Sequence, residues 1–203
     1  MTSQEKILTA AQELFGEFGF AETTFKRIAD KAGVAPGLIT HHFGTKEKLF
    51  AAASLTVLTS LRDRAMAAAE AESSGLEAVV AYVRTYLKES ERPGAHFPIL
   101  VQCSPYGDVK SGLDKADIVR TFEELIHELA RCLIRGMKDG SVVECESATR
   151  TADVIFSTLV GTVRTKLLAP FCNEGFYQAV LNFIRRAVAS DSISSRTGGV
   201  AAL

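Results

Sequence analysis

The chain has 203 residues, 47% hydrophobic and 23% charged, with a formal net charge of −1. That is ordinary for a globular protein, leaves room for a small domain beside a larger one, and excludes the bulk basicity that would by itself announce nucleic acid. A local basic patch stays open, because phosphate attraction depends on where charge sits.

No uninterrupted apolar core follows Met1, as a signal peptide would need. The most apolar stretch, Leu49 to Leu61, is broken by Ser54, Thr56, Thr59 and Ser60 and is too short to span a bilayer, so a cytoplasmic protein is expected. Cys103, Cys132, Cys145 and Cys172 lack the close spacing of a zinc or redox motif. They read as reduced, mostly buried thiols, with a redox sensor as the alternative reading, and neither a metal nor a cofactor is expected.

In chain order, Ile7, Leu8, Ala11, Leu14, Phe15 and Phe18 form one helical stripe that ends at Gly19. Phe25, Ile28 and Ala29 form a short second stripe, opened by Thr23 or Thr24 and closed by Gly33. Pro36 starts a third short helix carrying Ile39 and Phe43 inward. Thr45 caps a long fourth helix reaching about Ala69, and the loop Glu72 to Gly75 follows it. Leu76, Val79, Val80, Val83 and Leu87 mark a fifth. Pro93, Pro98 and Pro105 frame a short segment, and Tyr106 to Gly112 reads as a loop.

Ile118, Phe122, Leu125, Ile126, Leu129, Leu133 and Met137 predict a long helix ending at Asp139-Gly140. Two more run from about Ser147 to Ala169 and from about Glu174 to Ala189. The fold class is all-α: an N-terminal three-helix helix-turn-helix head on a larger domain of five or six longer helices. The expected domains are 1–50 for the head, 51–190 for the larger helical domain, and 191–203 as a disordered tail rich in Ser and Gly.

Thr23 to Phe50 carries the functional signal. Two short helices joined at Gly33-Val34-Ala35 share a small core of Ile28, Ala29, Val34, Ile39 and Phe43. This is a helix-turn-helix unit, a shape whose second helix enters the major groove in DNA-binding proteins and which also occurs in enzymes as a plain structural corner. Residues 1–50 hold six Lys/Arg and six Asp/Glu, but Lys26, Arg27, Lys46 and Lys48 cluster where a duplex would lie. The second helix has no Arg, Lys, Asn or Gln, so the usual bidentate base readers are absent. Leu38 suits a thymine methyl, Thr40 and His41 suit single hydrogen bonds, and Gly37 lets the backbone come close. The N-terminus of the fourth helix, beside Lys46, is a natural phosphate site.

The wording from Thr23-Thr24-Phe25-Lys26-Arg27-Ile28-Ala29-Asp30-Lys31-Ala32-Gly33-Val34 through Pro36 to His41-His42-Phe43-Gly44-Thr45-Lys46-Glu47-Lys48-Leu49-Phe50 resembles the TetR family of regulators. So does the opening Ile7 to Phe15 before Gly19. The resemblance covers about a quarter of the chain. It implies a homodimer, most often a repressor, on a palindromic operator, modulated by a small-molecule effector. Carried over by residue, it implies that Gly37, Leu38, Thr40 and His41 face base edges and that Thr24, His42 and Lys46 touch phosphates. Lys26 would reach a phosphate or a nearby base. The chain departs from the family at Ala35, where Ser is common, and at Thr40, where Tyr is usual.

In the larger domain, Tyr82, Tyr86, Phe97, Cys103, Tyr106, Phe122, His127 and Phe156 are candidate lining for a mostly apolar pocket, suited to an apolar or aromatic small molecule. The last helix is apolar on two sides, so Phe176, Tyr177, Val180, Phe183 and Ile184 are candidates for a homodimer interface with the Val154–Leu168 segment. An all-α enzyme and a helical scaffold are the competing readings. No metal-ligand spacing, phosphate loop or nucleophile elbow supports the enzyme, and a scaffold leaves the head sequence unexplained.

Overall fold

The computed structural model describes residues 1–103, 116–169 and 174–190. Tyr106, Cys172, the expected 106–112 loop and the 191–203 tail lie outside the described residues. Nine α-helices make up the described fold: α1 Ser3–Glu22, α2 Phe25–Ala32, α3 Pro36–Phe43, α4 Lys46–Glu70, α5 Gly75–Glu91, α6 Pro98–Cys103, α7 Ala116–Asp139, α8 Ala148–Leu168 and α9 Phe176–Val188. None is long and apolar enough to cross a membrane. The all-α expectation matches this architecture, whose only extended pairing among the described residues is an isolated bridge between Val142 and Ala189.

Two compact units divide the chain, one formed by Met1–Leu61 with Glu89–Phe122, the other by Arg62–Lys88 with Glu123–Leu203. In the first, Ile7, Ala11, Leu14 and Phe15 of α1 are buried with Ile28, Ala29, Ile39, Phe43, Leu49 and Phe50. Helix α1 is capped by Thr2 and Glu5, each bonding the other's backbone N–H. It breaks at Gly19, whose φ of 77° is left-handed. That break corrects one expectation. Phe18 is not part of the inward stripe but 39% exposed. Beyond the break, Phe20 turns inward instead, with its ring centroid 5.9 Å from Phe15 and 5.3 Å from Phe50. Helix α6 lies on α1 at Gly16, where an added Cβ would sit 3.1 Å from the backbone of Ile99. Phe97 and Cys103 are buried in this unit.

The second unit is pinned by a close helix crossing. A Cβ on Gly75 would fall 2.0 Å from the Gly136 backbone nitrogen. The Asp139 carboxylate accepts from Gly75 N–H at 2.7 Å and from Ser141 N–H at 2.9 Å, while the Ser141 hydroxyl accepts from Leu76 N–H at 3.0 Å. The first turn of α5 is thus satisfied from the end of α7. Tyr82 is fully buried and donates to the Leu125 carbonyl at 2.9 Å, which offsets the desolvation of its hydroxyl. Val143 N–H donates to Val188, and Ser190 N–H to Ser141, so the end of α9 is tied to the α7–α8 connection.

Candidate nucleic-acid interface

Local chemistry shapes the α2–α3 pair. The Thr24 hydroxyl accepts from Arg27 N–H and opens α2. Gly33, with φ 65° and ψ 41°, closes it in the left-handed conformation. Ala35 gives α3 no side-chain cap, and Pro36 occupies its first turn. Ile28, Ala29, Ile39 and Phe43 bury the inner side of the corner.

On the outer side, Gly37, Thr40, His41 and His42 of α3 are exposed and Leu38 is half-buried. Thr24 and Lys26 are exposed beside them in sequence on the α2 side of the corner. Nothing lies within 4 Å of where a Gly37 Cβ would be, so the backbone there is open to close approach. The His41 and His42 rings sit 5.4 Å apart, and no ion pair or hydrogen bond among the described residues engages either. Seven of the eight expected DNA-facing residues are therefore exposed or half-buried on the helix-turn-helix unit, and Lys46 follows at the start of α4.

Two of the four expected cations are held by the chain itself. The Arg27 guanidinium carbon lies 3.9 Å from the Phe18 ring centroid, and an Arg27 N–H donates to the Glu22 carbonyl at 3.0 Å. The Lys46 ammonium donates to the Phe20 carbonyl at 2.9 Å and stands 4.4 Å from the Phe20 ring centroid. Lys46 keeps further N–H groups for a phosphate, but from a fixed position. Lys26 and Lys48 are exposed. Phe18, Phe20 and their roles were missed in the sequence; the signal was Phe-Gly-Phe at 18–20, with an aromatic on each side of the break.

The phosphate site at the start of α4 already holds an anion. Thr45 Oγ accepts from Lys48 N–H. Its neighbour Glu47 has its carboxyl held below the usual carboxylate range, first by its own backbone N–H and then by the Thr45 hydroxyl. On the far side of the head, a hydrogen bond to Glu13 raises the Lys31 ammonium above its ordinary value, with the ion pair at 2.6 Å.

The expected pocket residues are divided between the two units. Phe97, Cys103 and Phe122 are buried in the first unit. In the second, Tyr86 and Phe156 pack edge to face at 5.6 Å, and His127 is exposed on α7. A cavity of about 670 Å³ does lie in that unit, and among those candidates only Tyr82 lines it. Met66, Ala69 and Ile134 give it apolar walls, and Glu70, Arg135 and Lys138 are among its charged lining. Burial pushes the Cys132 thiol beside it up to about 11.

Helix α9 divides differently from expectation. Leu181, Ile184 and Val188 are buried in the chain's own core, so Ile184, at 2% exposed, is not on a free face. Phe183 is 67% exposed, as is Val154 of α8, and Leu168 is 63% exposed. Phe176, Tyr177 and Val180 are half-buried.

A helix-turn-helix corner with a polar outer face, heading an all-α chain, defines the class of DNA-binding helical regulators. The family model for bacterial regulatory proteins of the tetR family matches residues 7–53, so this N-terminal part of the chain is similar to the N-terminal domain of that family. The HTH-type transcriptional regulator BetI of Rhizobium meliloti is 35% identical over 88 residues, covering 43% of each chain. The alignment thus spans less than half of that relative's length. Among solved structures, a TetR-family transcriptional regulator from Agrobacterium tumefaciens has a TM-score of 0.81 at 18% identity, covering 93% of this chain and 98% of its own. SmeT, the repressor of the Stenotrophomonas maltophilia multidrug efflux pump SmeDEF, has a TM-score of 0.74 at 18% identity, covering 95% and 93%. Both share the fold.

Proposed function

We propose that the chain is a transcriptional repressor that binds a palindromic operator as a homodimer and is modulated by a small-molecule effector. The observation that carries this is the exposed face of the α2–Gly33–α3 corner, with Lys26, Gly37, Thr40, His41 and His42 on the outside of a core that fixes their spacing. Residues 1–50 act as the DNA-binding domain in this reading and 51–190 as the effector and dimerisation domain, in the cytoplasm. Val154 and Leu168 of α8 with Phe183 of α9 are the apolar groups a second copy would cover. The 670 Å³ cavity of the second unit is the candidate effector site, and its apolar walls favour a ligand with an apolar or aromatic body.

The test is selection of duplexes from a randomised library, followed by anisotropy with excess competitor DNA. Discrete binding of a palindrome is expected. Lys26→Ala should weaken binding to all sequences and lower the salt slope, whereas His41→Ala should alter preference at particular base pairs by about 1–3 kcal/mol. Enrichment of no duplex would overturn the reading.

A further inference from the structure

We infer, resting on the DNA-binding reading above, that His41 and His42 make the docking of α3 proton-linked: the chain takes up protons as it binds a duplex, so its DNA affinity rises as pH falls. Helix α3 has no fixed charge of its own. Its sequence, Pro-Gly-Leu-Ile-Thr-His-His-Phe, contains no permanently charged side chain. The two imidazoles are the only groups on it that can become cationic, and both are exposed on the face the groove would receive.

The surroundings leave that charge unopposed. Helix α3 packs against α2 and α1 and is followed by α4. On α2, Arg27 is turned to the Phe18 ring and Glu22 carbonyl, and Lys31 is paired with Glu13. Lys26 and Asp30 are exposed. On α1, Glu5 is engaged in the helix cap, Lys6 and Glu17 are exposed, and Glu22 offers α2 its carbonyl. On α4, Lys46 sits on Phe20, Glu47 is engaged by Thr45 and its own N–H, and Lys48 is exposed. None of these groups bonds to either imidazole among the described residues. The strongest anion the rings meet in the complex is therefore the DNA backbone.

Histidine is the side chain whose ordinary pKa, about 6.5, places its charge change between pH 5 and 8. A polyanion binds imidazolium better than imidazole, so binding must raise the pKa of any histidine it touches, and the coupling is reciprocal. The added affinity is fully present below the free value and is lost as pH rises through the bound value. With ring centroids 5.4 Å apart, two imidazolium charges would repel each other. Phosphates offset that repulsion, which concentrates proton uptake in the complex. Each proton that gains a phosphate partner also steepens the salt dependence, by about 0.9 in the logarithmic slope.

The experiment measures anisotropy of a labelled duplex, selected by the protein itself at pH 8, from pH 5.5 to 8 at fixed ionic strength. A histidine raised by about one unit from 6.5 should give about a fivefold gain in affinity between pH 7.5 and 5.5, and two should give about 25-fold. In the double variant His41→Gln/His42→Gln the dependence should shrink to within about twofold. Lys26→Gln should lower affinity at every pH and keep the wild-type dependence. Circular dichroism checks that the double variant folds, as the exposure of both rings leads one to expect. A wild-type affinity constant within twofold across the range overturns the inference while leaving DNA binding intact. A double variant with the wild-type dependence does the same. Failure to bind any duplex at any pH overturns both.

Discussion

The first unit presents polar groups outward from a corner built by short-range signals, whereas the second rests on a helix crossing built by long-range fit. In the α2–α3 corner the decisive residues lie next to what they shape: Thr24 caps its own helix, Gly33 turns the chain where it stands, and Pro36 opens α3. In the second unit, Gly75 depends on Gly136, Leu76 on Ser141 and Tyr82 on Leu125. A recognition surface needs side chains held at fixed spacing and left free, which local turns and caps supply. A cavity needs walls from distant segments, which only tertiary packing supplies.

The sharpest way to break this contrast is to add one methyl group to each unit. Gly75→Ala would drive a Cβ to 2.0 Å from the Gly136 nitrogen and 2.8 Å from the Arg135 carbonyl carbon, both backbone atoms. Neither can swing away, so the helices must part, and a loss of about 3 kcal/mol or more is expected from urea denaturation followed by circular dichroism. A midpoint shift equivalent to less than 1 kcal/mol would show that the crossing is looser than described.

Next in size is the assembly. Phe183→Glu should abolish the dimer at micromolar concentration, since a charge on a buried interfacial aromatic costs about 2 kcal/mol or more. The same change should move the thermal midpoint of the isolated chain little, because Phe183 is 67% exposed. Tyr177→Glu, at a half-buried position, should affect the fold as well. Light scattering decides: a Phe183→Glu protein that stays dimeric places the interface elsewhere.

The same contrast explains what was legible beforehand. The stripes Leu76 to Leu87 and Ile118 to Met137 were readable because a buried face repeats with the helix period, and the residues of both stripes are buried apart from Ile126 and Met137, which are half-buried. The corner was readable because its signals are local. Phe18 was misplaced because a left-handed Gly19 interrupts the period without ending the run of apolar residues. A pocket is not legible in the same way, because an aromatic at helical spacing packs a core or lines a cavity equally well. Phe97, Cys103 and Phe122 went with one unit, and Tyr82, Tyr86 and Phe156 with the other. Ile184 and Phe183 are neighbours in sequence, and only the packing of α9 decides which of them is covered.

A smaller effect separates fold from recognition within α3. Gly37→Ala meets nothing within 4 Å, at a helical position without positive φ. Alanine should stabilise the helix by up to about 1 kcal/mol. The added methyl stands on the face offered to DNA, so duplex affinity should fall while the thermal midpoint holds or rises. A variant that binds DNA as the parent does would remove Gly37 from the interface.

The smallest effects come from pH, and their signs differ between the units. In the second unit the Asp139 carboxyl is held below its usual range, first by the Ser141 hydroxyl and then by the Gly75 and Ser141 N–H groups. Because the folded value is depressed, its contribution is present above the unfolded value and is lost as pH falls through the folded one, in the strongly acid range. In the first unit the Lys31 ammonium is raised by Glu13. Its contribution is present below the ordinary lysine value and is lost as pH rises through the folded one, in the strongly alkaline range. Both groups are exposed, so water screens both and the effects are slight. Thermal midpoints of Asp139→Asn and Lys31→Met should therefore differ from the parent near neutrality, with Asp139→Asn converging on it only in acid and Lys31→Met only in alkali. Asp139→Asn should show the larger difference of the two, because it weakens the hold on the first turn of α5 at the glycine crossing, whereas Lys31 holds one exposed carboxylate. Equal midpoint losses for the two variants would mean that the cap at Gly75 contributes no more than an exposed ion pair, and that the crossing is held by packing alone.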